Sequence, residues 1–352
     1  MKVLIAAGGT GGHIYPAISV GERLRERSVE VIFLGTKEGM EKYIVPKYGF
    51  ELITISSGQF VGKNLSTKLK TSTKILKGII ECIQIIREEK PICVLGMGSF
   101  VSFPAVLSAV LLNVPSFLHE QNLILGLTNR ILHRFAKKIF LSFEETAKIH
   151  RIENYSYTGN PIRKSIKARL PSNGKKGFGL FVFGGSRGAK SINKAICELL
   201  PFVSQLKELR IYHQTGYEEY ERVKIAYQRF NIKGEVFPFT EDMAKYYSIS
   251  DLVISRAGSS TIFELAFMKK PAILIPYPYS AGKHQWKNAL YVEKIGGAYL
   301  VPDNELSGKI LYSKLEGLMK NENLLKEMGE NMGKLYVEDA DERIANEIMG
   351  YI

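Results

Sequence analysis

KVLIAAGGTGGHIYPA, residues 2–17, decides the fold. Lys2–Ala7 is a short apolar run and reads as a strand buried on both faces. Gly8-Gly9-Thr10-Gly11-Gly12-His13 follows, which suits a tight turn that brings backbone close to a ligand. A helix is expected from about Pro16 to Arg27, with Pro16 in its first turn. Val29–Leu34 then restores the strand pattern. Strand, glycine turn, helix and strand make a βαβ unit, and so a parallel sheet with helices on both faces.

Outward from this stretch the pattern continues. Ile92–Leu95 and Ser116–His119 read as further strands, and then the pattern restarts. Gly179–Phe183 runs into Gly184-Gly185-Ser186-Arg187-Gly188 and a helix from about Lys190 to Leu200. Strands are expected at Leu209–Gln214, Glu235–Phe237, Leu252–Ser255 and Ala272–Ile275. The fold class is therefore α/β with two doubly wound domains, and 352 residues fit two domains of roughly 100–200 each. The join is placed near Gly159-Asn160-Pro161, giving domains 1–160 and 161–337, with a looser stretch at Pro171–Gly177. A last helix from about Asp339 to Met349 fits either domain by sequence alone. Ligands of open parallel sheets bind beyond the carboxyl ends of the strands, so both glycine turns are expected to line a cleft between the domains.

Composition narrows the class. Hydrophobic residues at 45% and charged residues at 24% describe a globular chain and exclude disorder, collagen and a disulfide miniprotein. A net charge of +13 points to an anionic partner such as nucleic acid, an acidic membrane surface or a phosphorylated substrate. Cys82, Cys93 and Cys197 form no Cys-x-x-Cys pair, which suggests a reducing compartment. The apolar run at Val3–Ala7 is too short for a signal-peptide core. Ser102–Leu118 is broken by Pro104, Asn113 and Pro115 and falls short of the roughly 20 residues of a membrane span. The expectation is a cytoplasmic protein that touches a membrane without crossing it.

Several residue groups carry candidate chemistry. Thr10, Gly11 and Gly12 sit where a helix N-terminus favours phosphate or sugar contact. The loop is not a dinucleotide fingerprint, because Ile14 stands where the third glycine belongs, and no Gly-Lys-Ser/Thr closes a Walker loop. His13, at the mouth of that loop, is a general-base candidate with packing as the alternative. Ser186 either meets a ligand or caps the following helix. In Ser255–Glu264, Arg256 is placed to face a diphosphate. Ser259, Ser260 and Thr261 open a helix there, and Glu264 either accepts ribose hydroxyls or closes a capping box with Thr261. His284-Gln285 offers polar groups to a sugar, with a solvated loop as the alternative, and His119-Glu120-Gln121-Asn122, at a strand's carboxyl end, favours a cleft position, with an N-cap as the alternative for Asn122. The chain has no aspartate before Asp242, and Asp339-Ala340-Asp341 reads as helix N-terminal charge. No metal-ion chemistry and no cofactor are expected; backbone N–H groups and helix dipoles would hold the leaving group. Val61–Ile86 interleaves Lys68, Lys70, Lys74 and Lys77 with Ile75 and Ile79 at helical spacing. It is either a sheet-covering helix or an interfacial segment for anionic lipid. Nucleic acid is disfavoured, since no aromatics interleave these lysines.

Six stretches in order, GGTGGHIYPA (8–17), HEQN (119–122), GNPIR (159–163), GGSRGA (184–189), SRAGSSTIFE (255–264) and HQWKNA (284–289), closely resemble the MurG family. These are the UDP-N-acetylglucosamine–N-acetylmuramyl-(pentapeptide) pyrophosphoryl-undecaprenol N-acetylglucosamine transferases of peptidoglycan synthesis. The resemblance implies a GT-B fold whose terminal helix, about 338–352, returns to an acceptor-side first domain. The second domain would bind UDP-sugar. It also implies an inverting, metal-independent transfer to the 4-hydroxyl of lipid I at the cytoplasmic side of the membrane. The implied nucleotide-sugar contacts are Thr10, Gly11, Gly12, Asn122, Arg163, Ser186, the Ser259–Glu264 turn and Gln285, with His13 as the matching base candidate. One further contact, commonly isoleucine in the family, falls on Thr240, where a main-chain contact would survive the change. A UDP-sugar epimerase or another UDP-sugar transferase of the same fold is the rival reading.

Overall fold

The computed structural model describes residues 1–58, 65–169 and 177–351, with residues 65–70 described in backbone only. The chain divides into two compact units, Met1–Arg163 with Val337–Ile352, and Lys164–Tyr336. The expected loose stretch at Pro171–Gly177 lies, up to residue 176, outside the described residues.

The strands of the first unit are β1 (Lys2–Ala6), β2 (Glu30–Gly35), β3 (Glu51–Thr54), β4 (Cys93–Gly96), β5 (Ser116–Glu120), β6 (Lys138–Leu141) and β7 (Tyr155–Tyr157). They form one sheet in the order β3-β2-β1-β4-β5-β6-β7, and every pairing is parallel. The helices are α1 (Gly11–Glu26), α2 (Glu41–Lys47), α3 (Leu65–Glu89), α4 (Ser102–Leu111), α5 (Leu127–Leu132) and α6 (Glu145–His150). Successive side chains of a strand face opposite ways, so the continuous apolar run of β1 serves two cores. Val3 and Ile5 pack with Ile14 and Ile18 of α1, while Leu4 and Ala6 pack with Cys82 and Ile86 of α3 and Ala105 of α4.

In the second unit α7 (Lys164–Lys167) is followed by β8 (Phe178–Phe183), α8 (Lys190–Val203), β9 (Leu209–Gln214), α9 (Tyr220–Arg229), β10 (Gly234–Phe237), α10 (Met243–Ile249), β11 (Leu252–Ser255) and α11 (Ser259–Phe267). After these come β12 (Ala272–Leu274), α12 (His284–Lys294), β13 (Ala298–Leu300), α13 (Gly308–Met319) and α14 (Glu322–Gly333). The sheet order is β10-β9-β8-β11-β12-β13, again parallel throughout. Both sheets reverse direction of growth once, between β1 and β4 and between β8 and β11, as doubly wound sheets do.

Helix α1 begins at Gly11, not near Pro16 as the sequence suggests. The Thr10 carbonyl accepts from His13 N and Ile14 N, so the glycines themselves make the first turn. Pro16 lies within the helix and forfeits one helical hydrogen bond there. Strands β3, β6, β7 and β13 have no counterpart in the sequence reading.

The terminal helix α15 (Ala340–Met349) belongs to the first unit. Ile344, Ala345 and Ile348 enter the core beside α1. Arg23 Nε donates to the buried Asp341 carboxylate at 2.8 Å, and Arg27 pairs with Glu342. At the other end Lys138 donates to Glu347 at 2.7 Å. Asp341 thus anchors this helix from its first turn, while Asp339 is its N-cap residue without a side-chain cap. Among the described residues no helix is long and apolar enough to cross a membrane.

Removing a buried, paired carboxylate leaves its partner unmatched. Asp341→Ala is expected to destabilise the first unit by about 2 kcal/mol, below the range for a fully buried pair because Arg23 stays partly solvated. Urea denaturation followed by circular dichroism measures it.

Candidate functional site

In the first unit the carboxyl ends of β1, β4 and β5 meet around His13. Gly9 turns the chain at φ +89°, and a Cβ there would fall 3.0 Å from the Phe100 ring, so only glycine fits. His13 follows in the first turn of α1, half-buried. Its Nδ1 lies 2.8 Å from the Met97 carbonyl and 3.2 Å from Gln121 Oε1, and Gln121 Nε2 donates to the same carbonyl at 2.9 Å. A carbonyl can only accept, so Nδ1 carries the proton and the imidazole lone pair lies on Nε2. Thr10 is exposed and makes no side-chain cap with α1. Arg163 stacks over the Tyr15 ring at 4.7 Å, which keeps its guanidinium beside α1.

The HEQN segment is organised by Glu120. Its carboxylate accepts from Gly126 N and Asn129 Nδ2 at 2.8 Å, and from Asn122 N and Nδ2 at 3.1 and 3.2 Å. Burial pushes the Glu120 carboxyl above the usual carboxylate range, against the pull of those donors. Asn122 caps no helix, since Gly126 is the N-cap of α5. His119 is fully buried with its Nε2 3.4 Å from the Gly159 carbonyl, and burial lowers its pKa to about 4.

In the second unit the glycine turn after β8 is held by β9. A Cβ on Gly188, at φ +74°, would fall 2.0 Å from the Thr215 carbonyl. Gln214 Nε2 donates to the Gly185 carbonyl at 3.1 Å, and its Oε1 accepts from Thr240 N at 3.0 Å, which ties two turns together. Beneath them His213 lies 3.1 Å from both Asn193 Oδ1 and Tyr227 Oη, and Asn193 Nδ2 donates to the Thr215 carbonyl. Burial lowers the pKa of His213 to about 3. Ser186 is exposed and is not a cap, because α8 starts later with Ala189 as N-cap.

Helix α11 starts at Ser259 with Gly258 as N-cap. Thr261 is therefore third in the helix and Glu264 sixth, and the capping-box alternative fails. The Glu264 carboxylate is buried and accepts instead from Tyr247 Oη at 3.0 Å. Gln285 Oε1 accepts from Tyr277 N at 2.9 Å. Arg256 does not stand open to a diphosphate. Its guanidinium donates to Asp303 at 2.5 Å, to Ser191 Oγ at 2.9 Å and to the Ile275 and Pro276 carbonyls. These contacts clamp β11 and β12 to α8.

The structure also revises the proposed lipid face of α3. Lys74 and Lys77 are exposed, but Ile75 and Ile79 are half-buried. The large apolar residues turned outward are Leu76 at 62% and Ile80 at 61% exposure. The side chains of Lys68 and Lys70 lie outside the described residues.

Sequence reasoning did not single out Gln214, Tyr247, Asp303 or Glu41, the last a buried carboxylate bonded to Gly9 N. Only Gln214, polar at the end of a strand, carried a local signal.

The matching family models are the glycosyltransferase family 28 N-terminal domain over residues 3–141 and its C-terminal domain over 179–344. The chain is 40% identical to the UDP-N-acetylglucosamine–N-acetylmuramyl-(pentapeptide) pyrophosphoryl-undecaprenol N-acetylglucosamine transferase of Geotalea uraniireducens, over 99% of this chain and 98% of that one. It is similar to the solved MurG of Acinetobacter baumannii, with a TM-score of 0.82 and 30% identity over 99% of both chains. A UDP-GlcNAc 2-epimerase from Neisseria meningitidis bound to UDP-GlcNAc shares the fold alone, at a TM-score of 0.69 and 15% identity over 100% of both chains.

His119 and His213 stay neutral in the folded chain where a free imidazole of pKa 6.5 takes a proton. Their stabilising contribution is full above pH 6.5 and is lost as pH falls toward 4 and 3. The urea midpoint is expected to drop across that window, while nitrogen NMR shifts show both rings neutral at about pH 5.

Proposed function

We propose, since the chain belongs to the MurG family of N-acetylglucosamine transferases, that His13 is the base of its reaction and the glycine turns hold its donor. The enzyme transfers N-acetylglucosamine from UDP-N-acetylglucosamine to the muramyl sugar of lipid I, giving lipid II. In our reading the acceptor 4-hydroxyl loses its proton to His13 Nε2 while its oxygen bonds to the anomeric carbon. The bond from that carbon to the diphosphate breaks, UDP leaves with the electron pair, and the configuration inverts. The observation that carries this is the Met97 carbonyl on His13 Nδ1, which places the lone pair on Nε2.

The donor residues are read as follows. Glu264, held by Tyr247, accepts the ribose hydroxyls. The first turn of α11, Ser259 to Thr261, is a helix N-terminus whose dipole favours the diphosphate. Ser186 and the main chain of Thr240 lie on the two turns tied by Gln214. Gln285, whose Oε1 is taken by Tyr277, offers its Nε2 to the sugar. Thr10, Gly11, Gly12, Asn122 and Arg163 of the first unit complete the contacts. Charge on the departing phosphate is met by that helix N-terminus and Arg163, without a metal ion. Leu76, Ile80, Lys74 and Lys77 of α3 face the anionic surface of the membrane that carries lipid I, on its cytoplasmic side.

UDP release measured in detergent with a lipid I analogue tests the scheme. Release is expected to depend on the acceptor and to survive EDTA. His13→Ala is expected to lower kcat by about 10²–10⁴-fold with UDP binding intact. Glu264→Gln is expected to raise the KM for UDP-N-acetylglucosamine about tenfold. Retained wild-type turnover in His13→Ala would remove the base assignment. Separately, Leu76→Ser/Ile80→Ser is expected to weaken binding to anionic phospholipid vesicles in a flotation assay, with turnover in detergent unchanged.

A further inference from the structure

The glycine loop that carries His13 rests on a buried acid that the reaction scheme does not use. Glu41, the first residue of α2, is 0% exposed. One carboxylate oxygen accepts from Thr36 N at 2.8 Å and Thr36 Oγ1 at 2.7 Å, at the end of β2. The other accepts from Gly9 N at 3.1 Å. Three glycines close around the carboxylate. A Cβ on Gly8 would fall 2.7 Å from Oε1, one on Gly35 would fall 2.5 Å from Cγ, and one on Gly39 would fall 2.1 Å from Oε2. The missing side chains are thus the space the acid occupies.

An acid here is a specific choice. A negative charge beneath a turn that receives anionic substrates opposes their binding, and it takes Gly9 N–H out of use as an anion donor. A carboxylate in a dry site persists only where several donors satisfy it, and its hydrogen bonds are then short and strong. What the acid offers in return is a fixed turn. Gly9 N is pinned, and the next residue, Thr10, accepts from His13 N and Ile14 N through its carbonyl. The imidazole is held at its far side by Met97. His13 is therefore held at two points, its backbone through Gly9 to Glu41 and its ring through β4.

We propose that Glu41 is a positioning residue for the transfer, acting through the Gly9 turn to set where His13 presents Nε2. The proposal rests on His13 as the base. The test is a double-mutant cycle in the full enzyme, read as acceptor-dependent UDP release with the same lipid I analogue. Glu41→Gln keeps the size of the side chain but turns an amide donor toward an N–H. It is expected to lower kcat about 10- to 100-fold while the dissociation constant for UDP stays within about twofold. In the His13→Ala background the same change is expected to cost less than about twofold more.

A wild-type kcat in folded Glu41→Gln overturns the proposal, and so does a loss that recurs in full without His13. If Glu41→Gln does not fold, Gly39→Ala displaces the carboxylate from the α2 side and must give the same pattern; wild-type turnover in that variant overturns the proposal too. Absence of acceptor-dependent release from the wild-type enzyme would instead overturn the transferase reading itself.

Discussion

Parallel pairing is the constraint on which the rest depends. Every strand pairing in both sheets is parallel, so each strand must be followed by a crossing back to the opposite edge. All strand-to-helix turns of a unit therefore collect at one edge. Residues 13, 97 and 121 meet for that reason, and so do residues 185, 214 and 240. Within each edge the place that opens is where the sheet reverses its growth, between β1 and β4 and between β8 and β11. The two glycine turns, Met97 and the start of α11 all follow those four strands.

Collecting turns at a half-dry edge creates a second demand, for partners to their backbone groups. Each turn has its own polar support underneath. Glu41 serves Gly9, Glu120 serves the Asn122–Gly126 segment, and Gln214 serves Gly185 and Thr240. Asn193 and His213 serve Thr215. These side chains are buried and hydrogen-bonded, and such networks rigidify what they hold. Of the residues proposed to touch substrate, Thr10, His13, Asn122, Ser186 and Gln285 are half-buried or exposed, whereas Glu264 is buried. Apart from Glu264, substrate contact and loop geometry thus fall to different side chains in this scheme, separable by mutation.

The sequence shows the proposed contacts far better than their supports. Glycine turns after apolar runs are visible because both signals are local, and they placed β1, β8, β9 and β11 within one residue. The supports act across long separations. Glu41 meets Gly9 across 32 residues, Arg256 meets Asp303 across 47, and Tyr247 meets Glu264 across 17. No period or spacing encodes such pairs. Glu41 looks like ordinary acidic charge in a first helical turn, and Arg256 looks open until Asp303 is seen against it. On α3 the difficulty is different. Ile75, Leu76, Ile79 and Ile80 are all apolar, so spacing alone cannot choose the buried face. Contacts made elsewhere choose it: Ser108 Oγ donates to the Ile79 carbonyl, and Gly78 packs against the Ser56 carbonyl.

The fate of Arg256 bears on how the leaving group is stabilised. Bound to Asp303, its guanidinium adds almost no net charge to this edge of the second sheet. The N-termini of α8 and α11, helices of 14 and 9 residues, each contribute roughly half a positive charge there. A backbone dipole cannot swing away or pick up a counter-ion as a lysine can. It is oriented before charge develops on the phosphate and needs no reorganisation when it does. Such stabilisation is only as good as the turn that aims it. In the proposed scheme the glycines, and the buried acids and amides beneath them, therefore bear on the rate. The net charge of +13 adds a long-range attraction for anionic partners.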